Sequence, residues 1–152
     1  MNIMLKQYKI GFDIWGLVVF LVIMIPNFIW YAVPAPDDML RAESVTEVID
    51  AIGSVSQVLM IFALCVIINP ERKKLSFTKT IITMICCCII YYCSWIFYYL
   101  GISNAVVILG LTIPPCMAFL FFAIDRRNYV STIPIVIFTI CHIIFGVVNF
   151  II

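Results

Sequence analysis

Several polar side chains of this sequence recur at helical spacing inside long apolar stretches. One set begins at residue 50 and continues at offsets of three, four and seven residues: Asp50, Gly53, Ser54 and Gln57. That spacing places all four on one face of a helix. Polar groups are costly in lipid and turn toward the protein interior. We therefore predict that this carboxylate, hydroxyl and amide line an interior surface, where they could bind a polar ligand.

His142 is the only histidine and belongs to a second stripe, with Thr139, Gly146 and Asn149. A buried imidazole could relay a proton, contact a ligand or lock helices together by a hydrogen bond worth about 0.6 to 2 kcal/mol. It is not predicted to hold a metal, because a zinc site needs further His or acidic ligands at the same depth. The candidate roles of His142 are thus structural, proton-relaying or ligand-binding.

Prolines interrupt two other apolar stretches. Asn27 follows Pro26, and Pro114 and Pro115 are consecutive. Proline lacks an amide donor and frees a carbonyl of the preceding turn. Interrupted helices often mark substrate sites in transporters, although proline also makes simple kinks in membrane helices. A rise of about 1.5 Å per residue puts Pro114 and His142 at similar depth, so we predict that they are neighbours.

Catalytic motifs are absent from the sequence. It contains no Gly-rich phosphate loop, no His-Glu-x-x-His motif and no serine nucleophile elbow. All seven cysteines lie in apolar stretches, which is typical of small packing groups. The net charge of +1 gives no attraction toward nucleic acid. We expect no enzyme activity, no cofactor and no metal.

The composition predicts a membrane protein. Of the 152 residues, 65% are hydrophobic and 11% are charged, whereas soluble domains carry about a quarter charged residues. A bilayer core needs about 20 apolar residues per helix, and five stretches have this length: 10–33, 51–68, 80–100, 104–124 and 130–152. We predict a single all-α domain, an integral membrane bundle of five transmembrane helices.

The basic residues predict the orientation of this bundle. Eight of the nine Lys and Arg residues fall in the N-terminus, the second loop and the fourth loop, and only Arg41 falls in the first loop. The positive-inside rule places the eight in the cytoplasm. The N-terminus is then inside and the C-terminus outside.

The first loop is acidic, and Ser44 to Glu47 has the spacing of a capping box. This spacing predicts that helix two begins near Val45. Carboxylates at a helix start suit the positive end of the helix dipole, which explains the acidity more simply than cation capture does.

Two classes of function remain for a multi-pass protein of the cell membrane. The first is binding, or transport, of a small ligand in an outward-facing polar pocket between helices one, two, four and five. The second is a non-catalytic accessory, immunity or assembly subunit with a membrane-protein partner. A solvent-connected cavity lined by Gln57 and His142 favours the first class, whereas a dry, packed interior favours the second. The candidate ligand-binding residues are Asn27, Asp50, Gln57, Pro114, Pro115, His142 and Asn149.

Overall fold

The structure, a computed structural model, describes residues 8–72 and 74–152. Within them are five long helices, each long and apolar enough to cross a membrane: α1 (Ile14–Ala32), α2 (Glu47–Val66), α3 (Lys79–Tyr99), α4 (Ala105–Asp125) and α5 (Tyr129–Phe150). The prediction of an all-helical chain with five long apolar helices is confirmed. Helix ends differ from the predicted ones by at most four residues.

Two short elements complete the chain. The two-residue strands β1 (Lys9–Ile10) and β2 (Ile67–Ile68) pair antiparallel, with Lys9 opposite Ile68. A single turn of 3-10 helix, Met39–Arg41, lies between α1 and α2.

Four helices begin at a residue whose side chain accepts a hydrogen bond from the first turn. These N-caps are Asp13, Thr78, Asn104 and Asn128. Each satisfies one of the amides that a helix start leaves without an internal partner. The caps explain why α3, α4 and α5 begin within one residue of the predicted positions.

Helix α2 begins at Glu47, two residues after the predicted start near Val45, but the predicted capping box does not form. The Ser44 hydroxyl accepts from the Thr46 amide at 3.1 Å, so it does not cap the helix as a capping box requires. Thr46 is the N-cap residue, but its side chain does not cap the helix either. Asn149 of α5 binds this segment instead, because its Oδ1 accepts from the Val45 amide at 2.8 Å.

The helices pack as a row, with α1 added to one side. Helix α4 lies between α3 and α5 and is the most buried of the five, and α5 packs in turn along α2. Helix α1 contacts mainly α2 and touches α3 and α4 at fewer places. Two spaces therefore flank α1, one toward α3 and one toward α2 and α5.

The basic end of the bundle comprises residues 8–13, 67–72, 74–78 and 126–128. Asp13 lies buried there and its Oδ2 accepts from Arg72 at 3.1 Å and from Arg126 at 3.0 Å. The Asn128 amide donates to the carbonyls of Ala63 and Ile67. These bonds join α1, α2, α4 and α5 at one end. Two of the basic residues in the predicted topology, Lys6 and Lys73, lie outside the described residues.

The acidic end comprises residues 33–46 and 100–104 together with the end of α5. Asp38 is its centre, because its carboxylate accepts from the Trp30 indole at 2.9 Å, the Tyr98 hydroxyl at 2.8 Å and the Arg41 guanidinium at 2.9 Å. Arg41 also donates to the Trp30 carbonyl at 2.7 Å, at the C-terminus of α1. The loop between α1 and α2 is thus folded onto α1 and α3.

Apolar side chains cover the outside of the bundle. Val58, Ile133 and Val106 are more than half exposed, on α2, α5 and α4 respectively. A contiguous exposed apolar surface of this kind is unfavourable in water. It suits a bundle surrounded by lipid.

Candidate functional site

A polar cavity lies between α1, α2 and α5, in the half of the bundle nearer the acidic end. Its volume is about 370 Å³. Its lining combines a carboxylate, two amides, a hydroxyl and an imidazole with apolar and aromatic groups: Met24, Asn27, Ile49, Asp50, Gly53, Ser54, Gln57, Phe138, Cys141, His142 and Phe145. No residue of α4 belongs to this lining, so the predicted contribution of helix four is wrong.

Helix α2 supplies the predicted polar stripe. Asp50, Gly53, Ser54 and Gln57 all line the cavity, as their shared helical face predicts. Gly53 also sets the approach of α5, because a Cβ there would lie 3.3 Å from Cys141 Cβ. The small residue lets the two helices pack closely below the polar groups.

Helix α5 contributes a ladder of three rings. The His142 ring stacks on Phe138, with centroids 5.1 Å apart and an interplanar angle of 17°. On its other side it lies near-parallel to Phe145, at 6.3 Å and 12°. Neither ring nitrogen of His142 has a hydrogen-bond partner in the part of the chain that the structure describes. Among the described residues, the ring thus makes no hydrogen bond to a carbonyl of α4 that the prolines could free.

Helix α1 contributes Asn27, whose amide nitrogen donates to the Tyr91 hydroxyl at 2.7 Å. Tyr91 is a buried residue of α3. Asn27 therefore links α1 to α3 behind the cavity while it lines the cavity itself.

Ser54, Gln57 and His142 differ from Asn27 and Asp50, the other polar residues of the lining, because no hydrogen bond of their side chains occurs among the described residues. Asn27 is bonded to Tyr91, and Asp50 Oδ1 accepts from the Thr46 hydroxyl at 3.0 Å. Across residues 8–72 and 74–152, no hydrogen bond involves the Gln57 side chain or the His142 ring. Both residues are only half-buried, so their polar atoms remain open to the cavity.

Asn149 lies next to the cavity and is connected to it through Thr46. Its Nδ2 donates to Thr46 Oγ1 at 2.8 Å, and Thr46 in turn donates to Asp50. Asn149, one of the candidate ligand-binding residues, does not line the cavity. Asn149 instead fixes the chain before α2, and through Thr46 it holds one oxygen of Asp50.

Pro114 and Pro115 do not meet His142 at the cavity. Helix α4 continues through both prolines from Ala105 to Asp125, and Pro115 is buried. The neighbouring Thr112 hydroxyl donates to the carbonyls of Ile108 and Leu109. Neither proline lines the cavity, and no hydrogen bond joins His142 to α4 among the described residues.

The cavity contains residue types of a hydrolase triad without its bonds. Asp50, Ser54 and His142 all line it, but no hydrogen bond between them occurs in the described structure. A triad acts through a nucleophile–base bond and a base–carboxylate bond. Among the described residues there is also no group of three or more His, Cys, Asp or Glu side chains that could hold a metal. The lining offers binding groups rather than an assembled nucleophile.

Sequence reasoning missed two features of functional interest. The aromatic neighbours of His142, Phe138 and Phe145, give no signal in an apolar stretch except their offsets of four and three residues. The buried pairing of Asp13 with Arg126 was hidden because both residues flank apolar stretches, where charges ordinarily reflect topology. An acidic residue directly before an apolar run is, however, a recognised N-cap signal.

Comparison of the chain with protein-family models, curated protein sequences and solved structures finds no match. The fold defines the chain as a bundle of five potential membrane-spanning helices. The cavity between α1, α2 and α5 is therefore the feature that bears on its function.

Proposed function

We propose that this protein is a multi-pass protein of the cell membrane that binds a small molecule in the cavity between α1, α2 and α5. One observation carries the proposal. Gln57 and His142 face the cavity, and neither has a hydrogen-bond partner among the described residues. Both side chains are half-buried, so each keeps polar atoms that are free to bond an occupant of the cavity. An occupant that bonds to both groups is therefore favoured.

The size of the cavity agrees with a small ligand. Its volume of about 370 Å³ lies at the lower end of the range of about 300 to 1,000 Å³ that is usual for ligand pockets. Dividing this volume by about 30 Å³ per water gives the space of about twelve water molecules. A ligand of about that many non-hydrogen atoms fits this estimate.

The predicted orientation places this cavity in the outer half of the membrane. Asp50 is the fourth residue of α2 counted from the acidic end, and Gln57 lies two turns deeper. With the basic end in the cytoplasm, a ligand reaches the cavity from outside the cell. Binding is preferred over transport, because five helices in 152 residues leave little room for a complete alternating-access device.

A non-catalytic accessory, immunity or assembly subunit is the second candidate. An apolar groove of about 810 Å³ between α1 and α3 supports it, because its walls, which include Val18, Val22, Ile85 and Ile89, could receive the apolar face of a partner helix. This candidate does not explain the unbonded polar groups of the cavity, and we therefore rank it second.

Access to the cavity is tested by cysteine labelling in intact cells. Gln57→Cys, in a Cys141→Ala background that removes the native thiol of the lining, is treated with a membrane-impermeant thiol reagent from outside. Val58→Cys is the matched control, because Val58 is the next residue of α2 and its side chain is 66% exposed on the outside of the bundle. We expect labelling at position 57 and none at position 58.

Binding itself is tested by a screen of small molecules against the purified protein, read as a rise in its unfolding temperature. Compounds that stabilise the native protein but not the Gln57→Leu, His142→Phe double variant support the proposal. Absence of labelling at position 57, together with a screen that yields no such compound, would contradict it.

A further inference from the structure

We propose that the ligand of this cavity is a small organic cation with an apolar or aromatic body. This inference rests on the proposed function and names the class of molecule that the site takes. Its first basis is charge. Asp50 is the only residue of the lining with a formal charge at neutral pH, and no Lys or Arg lines the cavity.

Asp50 has an unused acceptor toward the cavity. One carboxylate oxygen accepts from the Thr46 hydroxyl at 3.0 Å. The other has no bonded partner, and no cation within the described ranges lies at ion-pair distance from this carboxylate. Asp50 is half-buried at the cavity, and an opposite charge nearby stabilises a carboxylate that has lost part of its contact with water. An ammonium group of a ligand supplies both the charge and the missing donors.

The ring ladder of α5 provides the second basis. The rings of Phe138, His142 and Phe145 lie near-parallel to one another, and all three residues line the cavity. Aromatic rings give this wall an apolar surface that favours apolar and aromatic groups. One wall thus suits an apolar body while Asp50, on the facing helix, suits the charged group.

The neutral polar groups complete the match to an organic cation. The Gln57 amide oxygen can accept from an ammonium group, and the Ser54 hydroxyl can do so as well. A bare metal ion fits poorly, because the described residues include no cluster of His, Cys, Asp or Glu side chains that could hold one. The side chains of Phe138 and Phe145, which line the cavity, also have no oxygen atom that could coordinate such an ion.

The approach to the cavity carries the same sign of charge. Glu43 and Glu47 are exposed at the acidic end, and neither forms an ion pair within residues 8–72 and 74–152. The one basic residue of this loop, Arg41, is bound to Asp38. An excess of negative charge near a site raises the local concentration of cations and lowers that of anions.

Three probes of one shape test the inference: phenethylammonium, 2-phenylethanol and phenylacetate. They share an aromatic ring and a two-atom arm and differ in charge. Each is added to purified protein carrying Gln57→Cys in the Cys141→Ala background, and the slowing of thiol labelling at position 57 gives the dissociation constant. Ligand-dependent rises in unfolding temperature give a second value on the native protein. We expect phenethylammonium to bind at least tenfold more tightly than either of the other two.

Two substitutions assign the preference to named groups. Asp50→Asn keeps the acceptor for the Thr46 hydroxyl but removes the charge, and we expect at least tenfold weaker binding of phenethylammonium. Glu47→Gln removes the same charge from an exposed position outside the lining, and we expect less than a threefold change. Phe145→Leu leaves every charge in place and removes one ring of the lining, so it tests the aromatic wall separately from Asp50. We expect a loss of at least threefold.

The outcomes separate this inference from the proposed function. The proposal of a cationic ligand is contradicted if phenylethanol or phenylacetate binds more tightly than phenethylammonium, or if Asp50→Asn binds phenethylammonium unchanged. Either result still leaves a small-molecule site. If none of the three probes binds, the proposal of a cationic ligand is also contradicted. The labelling contrast between positions 57 and 58 then decides whether an accessible site exists. Charge-dependent binding that disappears with both Asp50→Asn and Phe145→Leu supports the proposal.

Discussion

At the scale of single residues, Asp13 has two roles at the start of α1. Its Oδ1 accepts from the Trp15 amide at 3.1 Å, which caps the helix, and its Oδ2 accepts from Arg72 and Arg126. The side chains of Asp13 and Arg126 are each 6% exposed. Removing one member of a buried ion pair is far more destabilising than losing a pair at the surface.

Two substitutions separate the roles of Asp13. Asp13→Asn keeps a good N-cap but loses the charge, and we expect a loss of about 3 kcal/mol in the free energy of unfolding. Asp13→Ala loses the cap as well, for about 1 kcal/mol more. Chemical unfolding in detergent micelles measures both.

The control for Asp13 is Glu71→Gln. Glu71 forms an exposed ion pair with Arg127, in which Oε2 of Glu71 lies 3.6 Å from a guanidinium nitrogen. We expect it to cost less than about 1 kcal/mol. An Asp13→Asn variant no less stable than this control would show that the buried pair contributes little.

Asp38 gives the acidic end a defined response to pH. Burial alone would raise the pKa of this carboxyl, but hydrogen bonds from Trp30, Tyr98 and Arg41 outweigh burial and hold the pKa below its ordinary value of 3.8. The stabilisation is therefore present above pH 3.8 and is lost as the pH falls through the lower pKa of the folded state. We expect Asp38→Asn to be less stable than the native protein at pH 6, and the difference to shrink below pH 4.

Unfolding temperatures of the two proteins at several pH values between 6 and 3 test this expectation. Only the difference between them is read, because other carboxylates titrate in both. A difference that stays constant down to pH 3 would mean that the charge of Asp38 does not stabilise the loop.

At the scale of helices, the sequence predicts what is local and misses what depends on packing between helices. The α2 stripe from Asp50 to Gln57 follows from helical spacing alone, and the structure places it on one cavity wall. The residues of other helices that surround His142 do not follow from spacing. Its depth matches that of Pro114, but the rotation of α5 about its axis turns the ring toward α1 and α2. Depth comes from counting residues, whereas rotation is set by side-chain packing.

Close packing of α4 against α5 depends on Gly146. A Cβ at this position would lie 2.5 Å from the γ-methyl of Thr112, whose hydroxyl is bonded to its own helix. Alanine raises helix propensity by about 0.5 to 1 kcal/mol, while overpacking costs about 1 to 3 kcal/mol. We expect Gly146→Ala to destabilise the protein by about 1 to 2 kcal/mol, since the clash outweighs the propensity.

Thr112→Ser tests the cause, because it removes the methyl and keeps the hydroxyl. In a double-mutant cycle, we expect the Gly146→Ala cost to fall by at least about 1 kcal/mol when Thr112→Ser is present. Equal costs in the two backgrounds would show that the helices adjust elsewhere.

At the scale of the whole molecule, charge is divided between the two ends of the bundle. All described Lys and Arg residues except Arg41 lie at or beside the basic end, and Arg41 is bound within the acidic end by Asp38. The buried bonds of Asp13 and Arg126 show that some of these charges also hold the fold together. The positive-inside rule does not distinguish basic residues that form buried ion pairs from those that do not.

The last prediction is the orientation of the chain. Eight of nine Lys and Arg residues fall in alternate connections, and such connections stay in the cytoplasm. We expect a reporter fused after Lys74 to show a cytoplasmic location, and reporters fused after Ser103 or Ile152 to show an external one. Ser103 provides an internal control, because five spans place it and the C-terminus on the same side. Disagreement between those two fusions would contradict the number of spans between them. Agreement with reversed signs would keep five spans but place the cavity in the inner half of the membrane, where its ligand would come from the cytoplasm.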